Sequence, residues 1–169
     1  MTRHNAGFMA VDIYIGRLGL GAMSRKHGSW FLKTSVKGVE TGFLKPGSFM
    51  NLSGGPVSAV MDDLGVTPAD LLVMHDDIDI KQGLVRHKFG GGHGGHNGLR
   101  SIIESIGAAD FHRVRLGVGR PPEGESASDY VLSVFDAQEE EDFLKGLEVA
   151  YGFLEGEFLL TVDQGADTD

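Results

Sequence analysis

A chain of 169 residues, 41% of them hydrophobic, has enough apolar surface for one core and too little length for two comfortable domains. Cysteine is absent, which excludes disulfides, a thiolate nucleophile and a Cys-based zinc site and fits a reducing cytosol, and no apolar run approaches bilayer length. The net charge of −9 is uneven: residues 1–50 carry seven Lys/Arg against two Asp/Glu, 51–80 none against six, 81–120 seven against two, and 121–169 one against fourteen. A basic face on an acidic chain attracts a polyanion locally, while the acidic C-terminal block discourages indiscriminate binding.

In chain order, Phe8, Val11, Ile15 and Leu18 recur with a helical period, so residues 5–18 are expected to form an amphipathic helix starting at His4 or Asn5. "WFLKTSV" and "VETGFLK", split by Lys37-Gly38, predict a hairpin. "GGPVSAVMDDLG" predicts a short helix with Val57, Val60, Met61 and Leu64 inward, and "LLVMHDDIDI" a buried strand ending in a polar tip. Strand, helix and strand follow in "GLVRHKFG", "NGLRSIIESIG" and "FHRVRLGVG". Asp136 and Glu139 form a capping-box pattern ahead of a long helix whose apolar positions are Phe143, Leu144, Leu147, Tyr151 and Leu154. Alternating strands and helices imply an α/β domain with a mixed sheet.

Three polar clusters interrupt this pattern. In "HDDIDI", a buried strand running out into His75, Asp76, Asp77 and Asp79 places carboxylates at the carboxyl edge of a sheet, where α/β folds build their sites. The residues alone allow a hard-metal site, a carboxylate orienting a distant histidine, or a solvated acidic turn. In "FGGGHGGHNG", glycines interleaved with His93 and His96 let backbone approach a ligand, and Asn97 follows where a helix starts and its N–H groups favour anions. The Gly-Lys-Ser/Thr ending of a phosphate-binding loop is missing, and His93 with His96 supplies only two zinc ligands. In "FMNLSG", Asn51 taken alone suits a helix cap.

Taken together, "RHNAG", "KPGSFMNLSG", "HDDIDI", "KFGGGHGGHNGLRS" and "FHRVRLGVGRP", in this order, resemble the bacterial-type peptidyl-tRNA hydrolase family from Thr2 to about Phe158. The resemblance implies an α/β fold, one three-layer domain over residues 1–158 with a mixed, largely parallel sheet flanked by helices, followed by an acidic, flexible tail over 159–169. It implies an enzyme that hydrolyses the ester joining a peptide to the 3'-terminal ribose of tRNA, releasing free tRNA. Also implied are a cytoplasmic monomer that needs no cofactor and no metal, with peptidyl-tRNA as partner and no membrane association.

Position by position, the resemblance makes His4 the base that activates water and Asp76 the carboxylate that orients it. Asn51 and Asn97, with Met50 and His96 as neighbours, match substrate-binding residues, and Arg86, Lys88 and Arg115 match basic residues that engage tRNA phosphates. An ester has a better leaving group than an amide, so a neutral histidine suffices as base near pH 7 without a covalent nucleophile. Relatives begin with an apolar strand and a Gly-Asn-Pro-Gly turn ahead of Arg-His-Asn. Residues 1–3 hold neither, so the expected sheet lacks its first strand, and the alternative is a degenerate, non-catalytic tRNA- or protein-binding relative.

Overall fold

The computed structural model of the chain describes residues 2–166. They form two compact units that interleave along the sequence, the chain crossing from one to the other after Arg17, Leu71, Lys88 and His112. No single cut of the chain separates the two.

Among the described residues, the first unit comprises 2–17, 72–88 and 113–166. A short 3-10 turn, Arg3–Asn5, leads into α1, Ala6–Leu18. Strands β4 (Leu72–Asp77), β5 (Val85–Phe89) and β6 (His112–Gly117) form a sheet in the order β4-β6-β5. His112 N donates to Leu71 O and Val118 N to Asp77 O, a constant offset that makes β4 and β6 parallel. Gly90 N donates to Phe111 O and Gly117 N to Leu84 O, a reversed progression that makes β5 and β6 antiparallel, so the sheet is mixed as expected.

Helix α1 buries Ala6, Gly7, Ala10, Tyr14 and Ile15, whereas Leu18 is 42% exposed and Phe8 and Val11 are only half-buried. Of the expected Phe8–Val11–Ile15–Leu18 stripe, Ile15 is buried and the other three are corrected: the small residues Ala6, Gly7 and Ala10 share the inward face with Tyr14 and Ile15, because backbone packs on backbone at Gly7. A Cβ on Gly7 would land on the carbonyl oxygen of Met74 in β4. Further along, Tyr14 donates its hydroxyl to Glu155 at 3.0 Å and Tyr151 donates to Ala10 O at 2.8 Å. Burial pushes both phenols well above the ordinary tyrosine range, so they stay protonated and keep donating.

The remaining helices of this unit are α4 (Ala127–Leu132), which the sequence pattern did not announce, α5 (Ala137–Phe153) and α6 (Leu159–Ala166). The capping box forms at α5: Glu139 N donates to Asp136 Oδ1 at 2.8 Å and Asp136 N to Glu139 Oε2 at 2.9 Å. Of the apolar positions read along α5, Phe143, Leu147, Tyr151 and Leu154 are buried and Leu144 is exposed. A π-helical segment, Leu154–Phe158, joins α5 to α6. Where the sequence suggested a tail from residue 159, the chain is helical over Leu159–Ala166, with Phe158 and Leu159 buried; residues 167–169 lie outside the described residues.

The second unit comprises residues 18–71 and 89–112. Its sheet is antiparallel, in the order β1 (Ser24–Lys26), β2 (Ser29–Val36), β3 (Val39–Lys45). β2 and β3 are the expected hairpin, closing at Val36↔Val39 with both Lys37 (φ 50°) and Gly38 (φ 90°) in the left-handed region of a type I' turn. Strand β1 is short and polar, with no alternation to reveal it. Helices α2 (Gly54–Leu64) and α3 (Asn97–Ile106) pack tightly, since a Cβ on Gly54 would meet the carbonyl of Ser101, and Gly54 N donates to Ser101 Oγ at 2.9 Å. Of the inward set expected on α2, Val57, Val60 and Met61 are buried and Leu64 is half-buried.

Candidate active site and basic strand pair

In the first unit, His4 Nδ1 lies 2.9 Å from Asp76 Oδ1 and 3.0 Å from Oδ2. The histidine side chain is 19% exposed and the carboxylate 4%. A carboxylate accepts only, so Nδ1 carries the hydrogen and donates, which leaves Nε2 as the basic nitrogen. Asp76 sits near the carboxyl end of β4. The close approach of Gly7 to Met74 brings α1, and the turn before it, against that strand. The neighbouring His75, also buried, bonds through Nδ1 to the backbone carbonyl of Asp76 at 2.8 Å.

The other carboxylates of the acidic tip do not converge on Asp76. Arg115 Nε donates to Asp77 Oδ2 at 2.7 Å, and Arg120 Nη2 donates to Asp79 Oδ1 at 2.8 Å. Each of the three carboxylates meets a different cation or imidazole, so together they build no shared oxygen cage. Of the readings the residues left open, the geometry fits the carboxylate that orients a histidine.

The three basic residues come together on the same unit. The β5–β6 register set by the Gly90–Phe111 and Gly117–Leu84 bonds places Arg86 directly opposite Arg115, with Lys88 two residues along on the same face of β5. Arg86 and Lys88 are exposed. Like charges directly opposite one another destabilise a sheet, and the Asp77 carboxylate beside Arg115 offsets part of this. On the other face of β5, His87 stacks on Phe153 with ring centroids 3.7 Å apart, and the loss of water there pushes its pKa down.

In the second unit, Met50 and Asn51 lie in a 3-10 turn, Met50–Leu52, ahead of α2. Asn51 is exposed and does not cap the helix: the N-cap is Ser53, whose hydroxyl donates to Met50 O at 2.8 Å. His96 and Asn97 begin α3. Gly98 N and Leu99 N donate to His96 Nδ1 at 3.1 and 3.2 Å, so the imidazole is the N-cap of α3 and its hydrogen belongs on Nε2. Asn97 is the first helical residue and is exposed. The two segments adjoin at Gly98, where a Cβ would lie 2.7 Å from Met50 Sδ and 3.0 Å from the His96 ring. The preceding loop turns on Gly90, Gly91, Gly94 and Gly95, all at positive φ, and Gly95 N donates to His93 Nδ1 at 3.1 Å. Both histidines of the loop thus spend Nδ1 on backbone amides.

One residue at the site went unnoticed in the sequence. Arg3, 6% exposed, joins the backbone just before His4 to the start of α5, and its side-chain hydrogen-bond partners lie 130 and 136 residues away. Its presence in the Arg-His-Asn motif was the available signal.

Comparison with known proteins gives the family of the chain. A family model described as peptidyl-tRNA hydrolase matches residues 1–163. The chain is 48% identical over 138 residues to the peptidyl-tRNA hydrolase of Frankia alni, covering 82% of this chain and 70% of that one. It is 45% identical over 154 residues to that of Trichlorobacter lovleyi, covering 91% and 79%. Among solved structures, peptidyl-tRNA hydrolase from Acinetobacter baumannii superposes with a TM-score of 0.87 at 32% identity, over 96% of this chain and 83% of that one. Motif order, a histidine–aspartate pair and a shared fold therefore lead to one assignment: the chain belongs to the peptidyl-tRNA hydrolase family.

Proposed function

We propose that the chain hydrolyses the ester between a peptide and the 3'-terminal ribose of tRNA, with His4 as general base. The observation that carries the mechanism is the His4–Asp76 pair. With Nδ1–H held by the carboxylate, Nε2 takes a proton from water as the oxygen attacks the ester carbonyl, and Asp76 stabilises the imidazolium that forms. Collapse of the tetrahedral intermediate expels the ribose oxygen, which receives the proton, so peptide acid and free tRNA leave and the enzyme is regenerated.

The exposed amides of Asn51 and Asn97, with Met50 and His96 beside them, are assigned to the substrate. Neutral amides both donate and accept, which suits a peptide backbone of any sequence. Arg86, Lys88 and Arg115 are assigned to tRNA phosphates, where cations give strong, sequence-independent and salt-sensitive contacts. The roles require no metal or other cofactor. No helix among the described residues is long and apolar enough to cross a membrane, and we place the chain in the cytoplasm, with its substrate, as a monomer. No observation favours the non-catalytic alternative.

The direct test is incubation with peptidyl-tRNA, with and without a chelator, following release of free tRNA. Turnover that the chelator leaves unchanged is expected; absence of turnover contradicts the reading, and loss on chelation contradicts the metal-free mechanism.

A further inference from the structure

We infer that Arg3 is a positioning residue for the general base, clamping the His4 turn to the start of α5; this rests on the assignment of His4 above. Four hydrogen bonds and two ring contacts define the clamp. Arg3 N donates to Ser133 O at 2.9 Å and Arg3 Nε to Ser133 Oγ at 3.1 Å. Arg3 Nη2 donates to Glu139 at 3.0 Å (Oε1) and 2.8 Å (Oε2), and the guanidinium lies over the Tyr130 and Phe135 rings at 4.5 and 5.0 Å. Glu139 is the capping-box glutamate of α5, its Oε2 already accepting from Asp136 N. The segment that carries the base is thereby tied to the most firmly capped helix end of its unit.

The energetics separate positioning from mere stability. A guanidinium buried among aromatic rings carries a desolvation penalty that its ion pair only partly offsets, and apolar replacements of such groups are often neutral or stabilising. Arg3 Nη1 is itself buried with no hydrogen-bond partner among the described residues, which adds to that penalty. A methionine would fill the same space between Tyr130 and Phe135 at less cost. Methionine keeps the backbone bond from residue 3 to Ser133 O but loses the three side-chain bonds to Ser133 Oγ and Glu139 that fix the turn one residue before His4. His4 must present Nε2 within a few tenths of an ångström for efficient proton transfer, and misplacements of about 1 Å cost on the order of 100-fold in rate.

The test compares wild type with Arg3→Met, Arg3→Lys and Ser133→Ala, measuring the melting temperature, kcat and KM for peptidyl-tRNA, and the ¹⁵N NMR signals of the His4 ring. Arg3→Met is expected to melt within a few degrees of wild type and to lose roughly 10- to 100-fold in kcat with KM within about twofold. Its His4 nitrogens should shift from a single Nδ1–H tautomer toward an average of two, and Arg3→Lys should recover part of both changes. An unaltered kcat and unaltered His4 signals in folded Arg3→Met overturn the inference. Should Arg3→Met fail to fold, Ser133→Ala, which removes the Nε acceptor together with the Ser133 Oγ–Tyr130 O bond, decides: a several-fold kcat loss with the same spectral change supports the clamp, and none contradicts it. Absence of turnover in wild type would sink the hydrolase reading instead, and the His4 signals would still report on the clamp.

Discussion

His4 and Asp76, 72 positions apart, meet through Nδ1 at 2.9 and 3.0 Å from the two carboxylate oxygens. The carboxylate is almost wholly buried and the imidazole is not, which is the arrangement of an orienting acid behind a working base. Asp76→Asn keeps the shape and removes the charge, and its amide can present N–H to Nδ1 and so favour the wrong tautomer. Steady-state kinetics should show kcat lower by about 10²–10⁴-fold with KM little changed. A KM effect alone would move Asp76 from catalysis to binding.

Gly7 lets α1 touch β4, and so brings the His4 turn to Asp76. Gly7→Ala places a methyl on the Met74 carbonyl oxygen, and because the obstacle is backbone no side chain can step aside. Denaturant unfolding should show a loss of about 1–3 kcal/mol, with activity reduced beyond what the folded fraction explains. Unchanged stability would show that α1 has room to slide.

The limits of legibility follow from such contacts. The β2–β3 hairpin and the α5 capping box were readable because Lys37-Gly38 and Asp136/Glu139 encode their geometry within four residues. The inward face of α1 was misread because Ala6, Gly7 and Ala10 pack by smallness, which a search for large apolar residues passes over. Arg3 was invisible for the opposite reason, since only the folded chain brings it to Ser133 and Glu139. Asn51 suited a cap by residue type alone, yet the N-cap of α2 lies two residues later, at Ser53. The site residues themselves came from the order of motifs, and the folded chain added their pairing.

Arg86 and Arg115 face each other across β5 and β6, with Lys88 alongside. Binding of tRNA measured against salt should weaken steeply, and Arg86→Ala or Lys88→Ala should each reduce the log–log slope by about one. Arg115 already holds Asp77, so Arg115→Ala should also release that carboxylate and weaken binding further. A slope unaffected by all three variants would remove the phosphate contacts from this face.

His87 supplies a pH dependence of stability. Its folded pKa lies below the ordinary 6.5 because packing on Phe153 strips water from one face of an otherwise exposed ring and so disfavours the cation, with the Glu157 charge opposing. As pH falls through about 6.5, the unfolded chain takes the proton first, so stability present above that pH is lost until the folded value is reached. Urea unfolding at pH 7.5 and 5.5 should show this loss, and His87→Phe should lack that part of it. An NMR titration midpoint for His87 at or above 6.5 would reverse the sign.

The most direct measurement is the turnover of peptidyl-tRNA by wild-type chain and by His4→Ala under identical conditions, with tRNA binding measured alongside. Release of free tRNA by the wild type, its loss by about 10²-fold or more in the variant, and binding that stays within a few-fold are the results predicted for a general base. Undiminished hydrolysis by His4→Ala would contradict the central claim.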